Sequence, residues 1–164
     1  MEQEPAFLEV YDQYADAVFR HCYYRVFNRE LAQDLTQEAF TKTWEYLAAG
    51  KSVDNLKAFV FRVAHNALID WSRRKKELSL DALSDGGWDV GIDQRAKLQE
   101  NLDVQSAIKI LQKLEEPYQT ALKLRYLSDF SPKEIAQILG ESENVVSVRI
   151  HRGIKKLQAL VVKI

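Results

Sequence analysis

The stretch SPKEIAQILGES, residues 131–142, constrains the fold more than any other part of the chain. Ser131 and Glu134 have the spacing of a capping box, and Pro132 occupies the first helical position, where its missing N–H is no loss. Gly140 lets the chain turn sharply after this short helix. A second helix directly after the turn would complete a helix-turn-helix unit.

The valine-rich run that follows predicts that second helix rather than a strand. Ser142 can cap it. A strand would place Arg149 and His151 on the same face as Val145, against a core, whereas a helix separates the charged residues from the apolar ones. The predicted apolar stripe consists of Val146, Ile150, Ile154, Leu157 and Val161.

The opposite side of this helix is basic, and residues 144–164 contain no acid. Such a face suits the DNA major groove, because it offers donors to base edges and cations to phosphates. Arg152 and His151 can donate to guanine, while Arg149 is better placed for phosphate. The alternative is a solvated basic face on an ordinary helical hairpin. The predicted duplex contacts are Lys133, Ser142, Asn144, Ser147, Val148, Arg149, His151, Arg152, Lys155 and Lys156.

Charge is distributed unevenly along a chain of 164 residues whose net charge is only -1. A basic segment at 62–76 precedes an acidic one at 77–103, and the basic run described above follows. No apolar run approaches the ~20 residues of a membrane span, and the N-terminus lacks a secretory signal. A single cysteine, Cys22, cannot form an internal disulfide, so we expect a cytoplasmic protein without direct membrane insertion.

Helical periodicity divides the chain into two parts. Three helices are predicted first: one over residues 5–27, a second capped by Asn28 and ended by Gly50, and a third capped by Asp54 that ends in the basic run RRKK. Residues 78–102 lack a sustained period, and the helical pattern returns at Val104. The sequence therefore predicts an all-α fold of two small helical domains, 1–77 and 103–164, joined by a flexible acidic linker, 78–102.

Sequence features of enzymes are not found. His21, His65 and His151 fall on separate predicted helices without the spacing of zinc ligands. The chain has no glycine-rich phosphate loop and no nucleophile elbow. Glu115–Glu116 before Pro117 is interpreted as a helix end rather than a catalytic pair. We therefore expect no enzymatic activity, cofactor or metal.

Two long blocks resemble a known family. LSDFSPKEIAQILGESENVVSVRIHRGIKKL resembles region 4 of bacterial extracytoplasmic-function (ECF) sigma factors, and DLTQEAFTKTWEYL followed by AFVFRVAHNALIDWSRRKK resembles their region 2. Some positions depart from the family pattern: Glu141 stands where an apolar residue is usual, Asn144 replaces a common glycine, Ser147 and Ile154 stand where basic residues are frequent, and Phe59 replaces a frequent tryptophan.

The resemblance implies a dissociable subunit that gives core RNA polymerase its promoter specificity. Region 4 would read the minus-thirty-five element as duplex DNA, and region 2, a bundle of three to four helices, would bind the polymerase and melt the minus-ten element. The implied partners are the clamp of the large polymerase subunit, the flap region and promoter DNA. An anti-sigma factor is a further partner that the resemblance admits.

The second predicted helix carries a polar side that suits a basic partner surface. By resemblance this side contacts the polymerase clamp, and the alternative is an ordinary solvated helix face. The predicted polymerase contacts are Asp34, Gln37, Glu38 and Thr41.

The third helix would handle single-stranded DNA, which requires cations for the backbone and hydrogen-bonding groups for extruded bases. By resemblance, the loop from Gly50 to Asn55 before this helix helps to hold a flipped base. Asp70 could accept from an exocyclic amine or hold an arginine. Phe59, Phe61 and Trp71 could stack on bases or belong to the core. The predicted minus-ten contacts are Lys51, Ser52, Asn55, Arg62, His65, Asn66, Asp70, Arg73, Arg74, Lys75 and Lys76.

Two other function classes remain open at this point. One is a self-sufficient helix-turn-helix regulator whose N-terminal domain binds a ligand or dimerises, and the other is a hydrolase or nuclease with an unrecognised site. The acidic linker also has two interpretations: a nucleic-acid mimic in the RNA exit path of the polymerase, or a soluble spacer.

Overall fold

A computed structural model describes residues 3–81 and 102–162 of the chain. These residues form helices and short connections without any strand, in two compact units on either side of residues 82–101. The predicted all-α fold is confirmed. Most of the predicted linker lies outside the described residues.

Residues 3–81 of the first unit form three mutually packed helices: α1 (Glu4–Val26), α2 (Arg29–Ala48) and α3 (Leu56–Asp81). As predicted, Asn28 caps α2, its Oδ1 accepting a hydrogen bond from the Leu31 N–H at 3.0 Å. Gly50 follows the end of α2 with a φ of 84°, a conformation that glycine adopts without strain.

Two predicted boundaries of α3 are wrong. The cap is Asn55 and not Asp54, because the Ala58 N–H donates to Asn55 Oδ1 at 3.0 Å. The helix also continues past the RRKK run to Asp81. Residues such as Glu77 and Leu78 are good helix formers, so the loss of an apolar period there ends the core-facing stripe without ending the helix.

The core of the first unit is built from side chains with almost no exposure, including Val18, Phe40, Val60 and Phe61. Phe61 therefore belongs to the core rather than to a base-stacking surface. Two buried hydroxyls are satisfied within α2: Thr36 and Thr43 donate to carbonyl oxygens one turn earlier, each at 2.7 Å.

Cys22 is fully buried in the same core. Burial raises the pKa of its thiol to about 12, and a hydrogen bond with the Thr36 side chain acts in the opposite direction. The thiol is therefore an inert core group at neutral pH.

Within residues 102–162, the second unit contains four α-helices and one π-helical turn. The helices are α4 (Leu102–Leu111), α5 (Glu116–Leu122), α6 (Pro132–Leu139) and α7 (Glu143–Val162), and the π-helical turn Lys123–Leu127 directly follows α5. Glu115–Glu116 begins α5 instead of ending a helix, which corrects the sequence interpretation. Pro117 lies in the first turn, where the helix needs no proline N–H.

The core of the second unit gathers around Phe130, Leu124, Ile135 and Val146, each with no exposed surface. Phe130 is held by its backbone as well, because its N–H donates to the Leu124 carbonyl at 3.0 Å. Across the described residues, no helix is both long and apolar enough to cross a bilayer.

Candidate nucleic-acid interface

The connection from α6 to α7 has the predicted helix-turn-helix form. Both bonds of the capping box are present: the Glu134 N–H donates to Ser131 Oγ, and the Ser131 N–H donates to Glu134 Oε1, each at 3.2 Å. Gly140 ends α6 in the left-handed region, with φ 68°. Ser142 Oγ then accepts from the Val145 N–H at 3.2 Å and caps α7. The capping box thus fixes the start of α6, and Gly140 and Ser142 fix the two ends of the turn.

The two sides of α7 separate as the helical periodicity predicted. Val146, Ile150 and Gly153 are buried, and Ile154 and Leu157 are half-buried. Val161 departs from the predicted stripe, since it lies near the helix end and is 51% exposed. The exposed residues on the other side are Asn144, Ser147, Val148, His151, Arg152, Lys155 and Lys156.

Among the predicted contacts on α7, Arg149 forms a short ion pair within its own unit. Its Nη2 lies 2.7 Å from Oε2 of Glu141, in the turn before α7, and the two side chains are only 20% and 35% exposed. Lys156 is also engaged at longer range: its Nζ lies 3.7 Å from Glu115 Oε1 and 5.0 Å from the centre of the Tyr118 ring. Lys133 and Ser142, at the starts of the two helices, are exposed.

The basic end of α3 is largely open to solvent. Asp70 Oδ1 lies 2.7 Å from Arg73 Nη2, so Asp70 adopts the second of its two predicted roles and holds an arginine. Lys75 lies 4.4 Å above the Trp71 ring, and partial burial lowers its pKa. The exposed predicted minus-ten residues on this helix are Arg62, Asn66, Arg73, Arg74 and Lys76.

His65 is less accessible than its neighbours on α3. Its ring lies 5.9 Å from that of His21 on α1, and its Nδ1 is buried. The His21 ring in turn meets the edge of Phe61 at 5.8 Å. This imidazole pair belongs to the α1–α3 packing, which leaves His65 half-buried rather than displayed towards a base.

The loop before α3 presents its predicted residues unequally. Lys51 and Ser52 are exposed, and Lys51 Nζ lies 4.9 Å from the Tyr46 ring, which packs on Phe59 at 4.8 Å. Asn55 is half-buried and uses its Oδ1 to cap α3. Asn55 therefore has a structural role at the start of α3, in addition to its predicted contact with DNA.

The polar side of α2 is displayed as predicted. Leu35, Ala39 and Phe40 face the core, and the opposite surface contains an ion pair of 2.7 Å between Glu38 and Lys42. All four predicted polymerase contacts, Asp34, Gln37, Glu38 and Thr41, are exposed.

Sequence reasoning missed an apolar groove in the second unit. It has a volume of about 250 Å³, and its wall includes Tyr126 and Leu127, which are 60% and 40% exposed. Both belong to the π-helical turn, which the sequence pattern did not predict. The lining residues are Ala107, Ile110, Leu111, Leu122, Tyr126, Leu127, Leu157 and Val161. Within residues 3–81 and 102–162, histidine, cysteine and carboxylate side chains do not gather into a metal-binding group.

Both units match models of one protein family. "Sigma-70 region 2" matches residues 10–77 and "Sigma-70, region 4" matches residues 105–157. Among curated relatives, the ECF RNA polymerase sigma factor SigW of Bacillus subtilis is 30% identical and the alignment covers 94% of this chain and 88% of SigW. The RNA polymerase sigma factor YlaC of the same organism is 28% identical over 93% of this chain and 90% of YlaC.

The fold is also similar to solved structures. The sigma factor RpoE in its complex with the anti-sigma factor NepR from Bartonella quintana has a TM-score of 0.77 and 24% identity, covering 95% of this chain and 96% of RpoE. CnrH in complex with the cytosolic domain of CnrY has a TM-score of 0.70 and 21% identity, covering 96% of this chain and 88% of CnrH. At these identities the likeness concerns the fold.

Proposed function

The chain belongs to the sigma-70 family of RNA polymerase sigma factors, in its ECF group, and from that premise we propose that it directs core polymerase to promoters with two separate elements. Such a factor acts in transcription initiation without being an enzyme. The observation that carries the proposal is the α6–α7 motif, a capped helix-turn-helix whose second helix exposes Asn144, Ser147, His151 and Arg152.

The second unit, proposed as domain 103–164, reads the minus-thirty-five element with α7 in the major groove. Arg152 and His151 supply donors for guanine O6 and N7, and the exposed Val148 suits contact with a thymine methyl. Lys155, which lies beside them on the same face, contacts a DNA phosphate. The apolar groove next to Tyr126 is the surface of this unit that best suits the polymerase flap region.

The first unit, proposed as domain 1–77, binds the clamp and melts the minus-ten element. Exposed acid and amide groups at Asp34, Gln37 and Glu38 suit a basic partner surface. On α3, Arg73, Arg74 and Lys76 neutralise the backbone of the displaced strand, and Asn66 can hydrogen-bond an extruded base. The predicted linker 78–102, of which residues 78–81 continue α3 and Leu102 begins α4, would connect the two contacts on one promoter.

One further partner and a location follow from the family. Because RpoE was solved with an anti-sigma factor, a protein of that class is proposed as an inhibitor of this chain as well. Work on core polymerase and promoter DNA would take place in the cytoplasm, and the proposed mechanism needs no cofactor.

The test is initiation with purified core polymerase. The chain and core together should start transcription at a defined site and render minus-ten thymines reactive to permanganate, while core alone should do neither. The free chain should bind duplex DNA weakly, because α7 is proposed to bind promoter DNA only when the chain is docked on core polymerase. Tight sequence-specific binding by the free chain, with no effect on core polymerase, would instead favour the self-sufficient regulator.

A further inference from the structure

The ion pair between Glu141 and Arg149 joins the turn of the DNA-reading motif to its recognition helix. Glu141 directly follows the turn residue Gly140, and its backbone N–H donates to the Ala136 carbonyl at 3.0 Å. The carboxylate is therefore presented by a fixed backbone. It meets Arg149 about two helical turns along α7, at 2.7 Å.

This pair is better shielded than the other arginine pair described on the predicted DNA-facing surfaces. Arg149 and Glu141 are 20% and 35% exposed, whereas Arg73 and Asp70 are 67% and 50% exposed. A short ion pair that is partly withdrawn from water is screened less by salt than an exposed pair. Arg149 is thus held by a competitor that a DNA phosphate would have to displace.

From the geometry we infer that Glu141 withholds Arg149 from DNA phosphate and thereby lowers the sequence-independent, salt-dependent part of binding at the minus-thirty-five element. The inference rests on the proposed function and deepens it.

The physical consequence concerns the sequence-independent part of binding. Each phosphate neutralised by a free cation adds about 0.9 to the slope of log K against log salt concentration. An arginine whose charge is already balanced by Glu141 adds little to that slope. Base-edge donors at His151 and Arg152 are unaffected, so the pair lowers affinity for all sequences and leaves the preference for the correct one.

The experiment measures binding of the reconstituted holoenzyme to a promoter duplex and to a duplex with a scrambled minus-thirty-five element, over a series of salt concentrations. Glu141→Gln should strengthen binding to both duplexes by a similar factor, steepen the salt slope on both by up to about 0.9, and leave the ratio of the two affinities unchanged. Arg149→Ala alone should leave the slope close to wild type. Combining the two substitutions should also return the wild-type slope, because the released arginine is then missing.

Glu143→Gln is the matched control. Glu143 is an exposed acid in the first turn of α7, so this variant removes one negative charge close to Glu141 while the pair stays intact. A Glu141→Gln slope equal to that of Glu143→Gln would overturn the inference. So would an Arg149→Ala slope lowered by about one unit, as a phosphate contact requires.

Unfolding of the free chain separates this inference from the proposed function. A double-mutant cycle with Glu141→Gln and Arg149→Ala should give a favourable coupling free energy, and a coupling of zero would overturn the inference without any appeal to DNA. Wild-type holoenzyme that does not distinguish the two duplexes would overturn the proposed function and, with it, the role assigned to the pair. A measured coupling would then still establish the contact itself.

Discussion

Gly153 on α7 lies against Leu122 on α5 so closely that a Cβ atom added to the glycine would be 3.2 Å from Leu122 Cδ1. The same atom would be 3.5 Å from the Cβ of Tyr118. The recognition helix is therefore seated on the rest of its unit at a point where side-chain volume is tightly limited.

Gly153→Val should destabilise the second unit by about 1–3 kcal/mol, because the extra methyl groups overpack this contact. Gly153→Ala is the matched control: its better helix propensity, worth roughly 1 kcal/mol, offsets the small shift that Leu122 must make to admit one methyl group. Denaturant unfolding of the full chain measures both. Valine tolerated as well as alanine would show that α7 can move away from α5.

Arg152→Ala should relax promoter preference at a single base position of the minus-thirty-five element, at a cost of about 1–3 kcal/mol for the preferred base. The reason is that Arg152 is exposed on the side of α7 that is free of core contacts. The measurement is holoenzyme binding to a set of duplexes that differ at one position each. A preference profile identical to that of wild type would remove Arg152 from base recognition.

Lys155→Ala should behave differently, although it lies only three residues further on. As a phosphate contact it should weaken binding to every duplex by a similar factor and reduce the salt slope by about 0.9. The same duplex set, measured at several salt concentrations, tests this. Selective weakening at one base pair would reassign Lys155 to base readout.

Asp34→Ala and Gln37→Ala should each weaken binding to core polymerase by roughly tenfold, because both side chains are exposed on the patch proposed to meet the clamp. Asp12→Ala and Gln13→Ala provide matched controls, since they remove an exposed carboxylate and amide from α1. Fluorescence titration of labelled chain with core polymerase gives the affinities. Equal losses in the α1 and α2 variants would argue against a specific patch.

Cys22 should react with a thiol reagent at pH 8 roughly a thousandfold more slowly in the folded chain than in denaturant, because its raised pKa of about 12 leaves very little thiolate. The labelling rate of the folded chain should rise about tenfold per pH unit.

Since the unfolded thiol ionises near pH 8.5, Cys22 also contributes stability that is present below that pH and lost as the pH rises towards 12. Cys22→Ser is the control for labelling elsewhere, and fast labelling without unfolding would contradict the buried assignment.

Local chemistry explains which parts of the fold could be predicted from sequence. Asn28, Ser131 and Ser142 cap helices through side-chain bonds to backbone groups three residues away, and Gly140 supplies a conformation that few other residues adopt easily. The recognition helix follows from a single periodicity that places Val146 and Ile150 on the buried side. These signals depend on neighbours in the sequence and need no knowledge of the packing.

The features that sequence reasoning missed depend on tertiary geometry, or on which of two similar neighbouring residues caps a helix. Asp54 and Asn55 are both good caps, and only the entry of α3 into the core selects Asn55. The π-helical turn at Lys123–Leu127 has no residue signature. Glu141 and Arg149 are eight positions apart, and their contact exists only once the turn at Gly140 is formed.

The central claim is that two units of one chain read two separate promoter elements. Its most direct test is run-off transcription by the reconstituted holoenzyme on a genomic fragment pool, repeated with Arg152→Ala on α7 and Asn66→Ala on α3. We predict that the selected promoters share two segments at constant separation, and that Arg152→Ala alters base preference only in the upstream segment while Asn66→Ala alters it only in the downstream one. A core polymerase that gains no start-site selectivity from the chain, or two variants that disturb the same segment, would contradict the account.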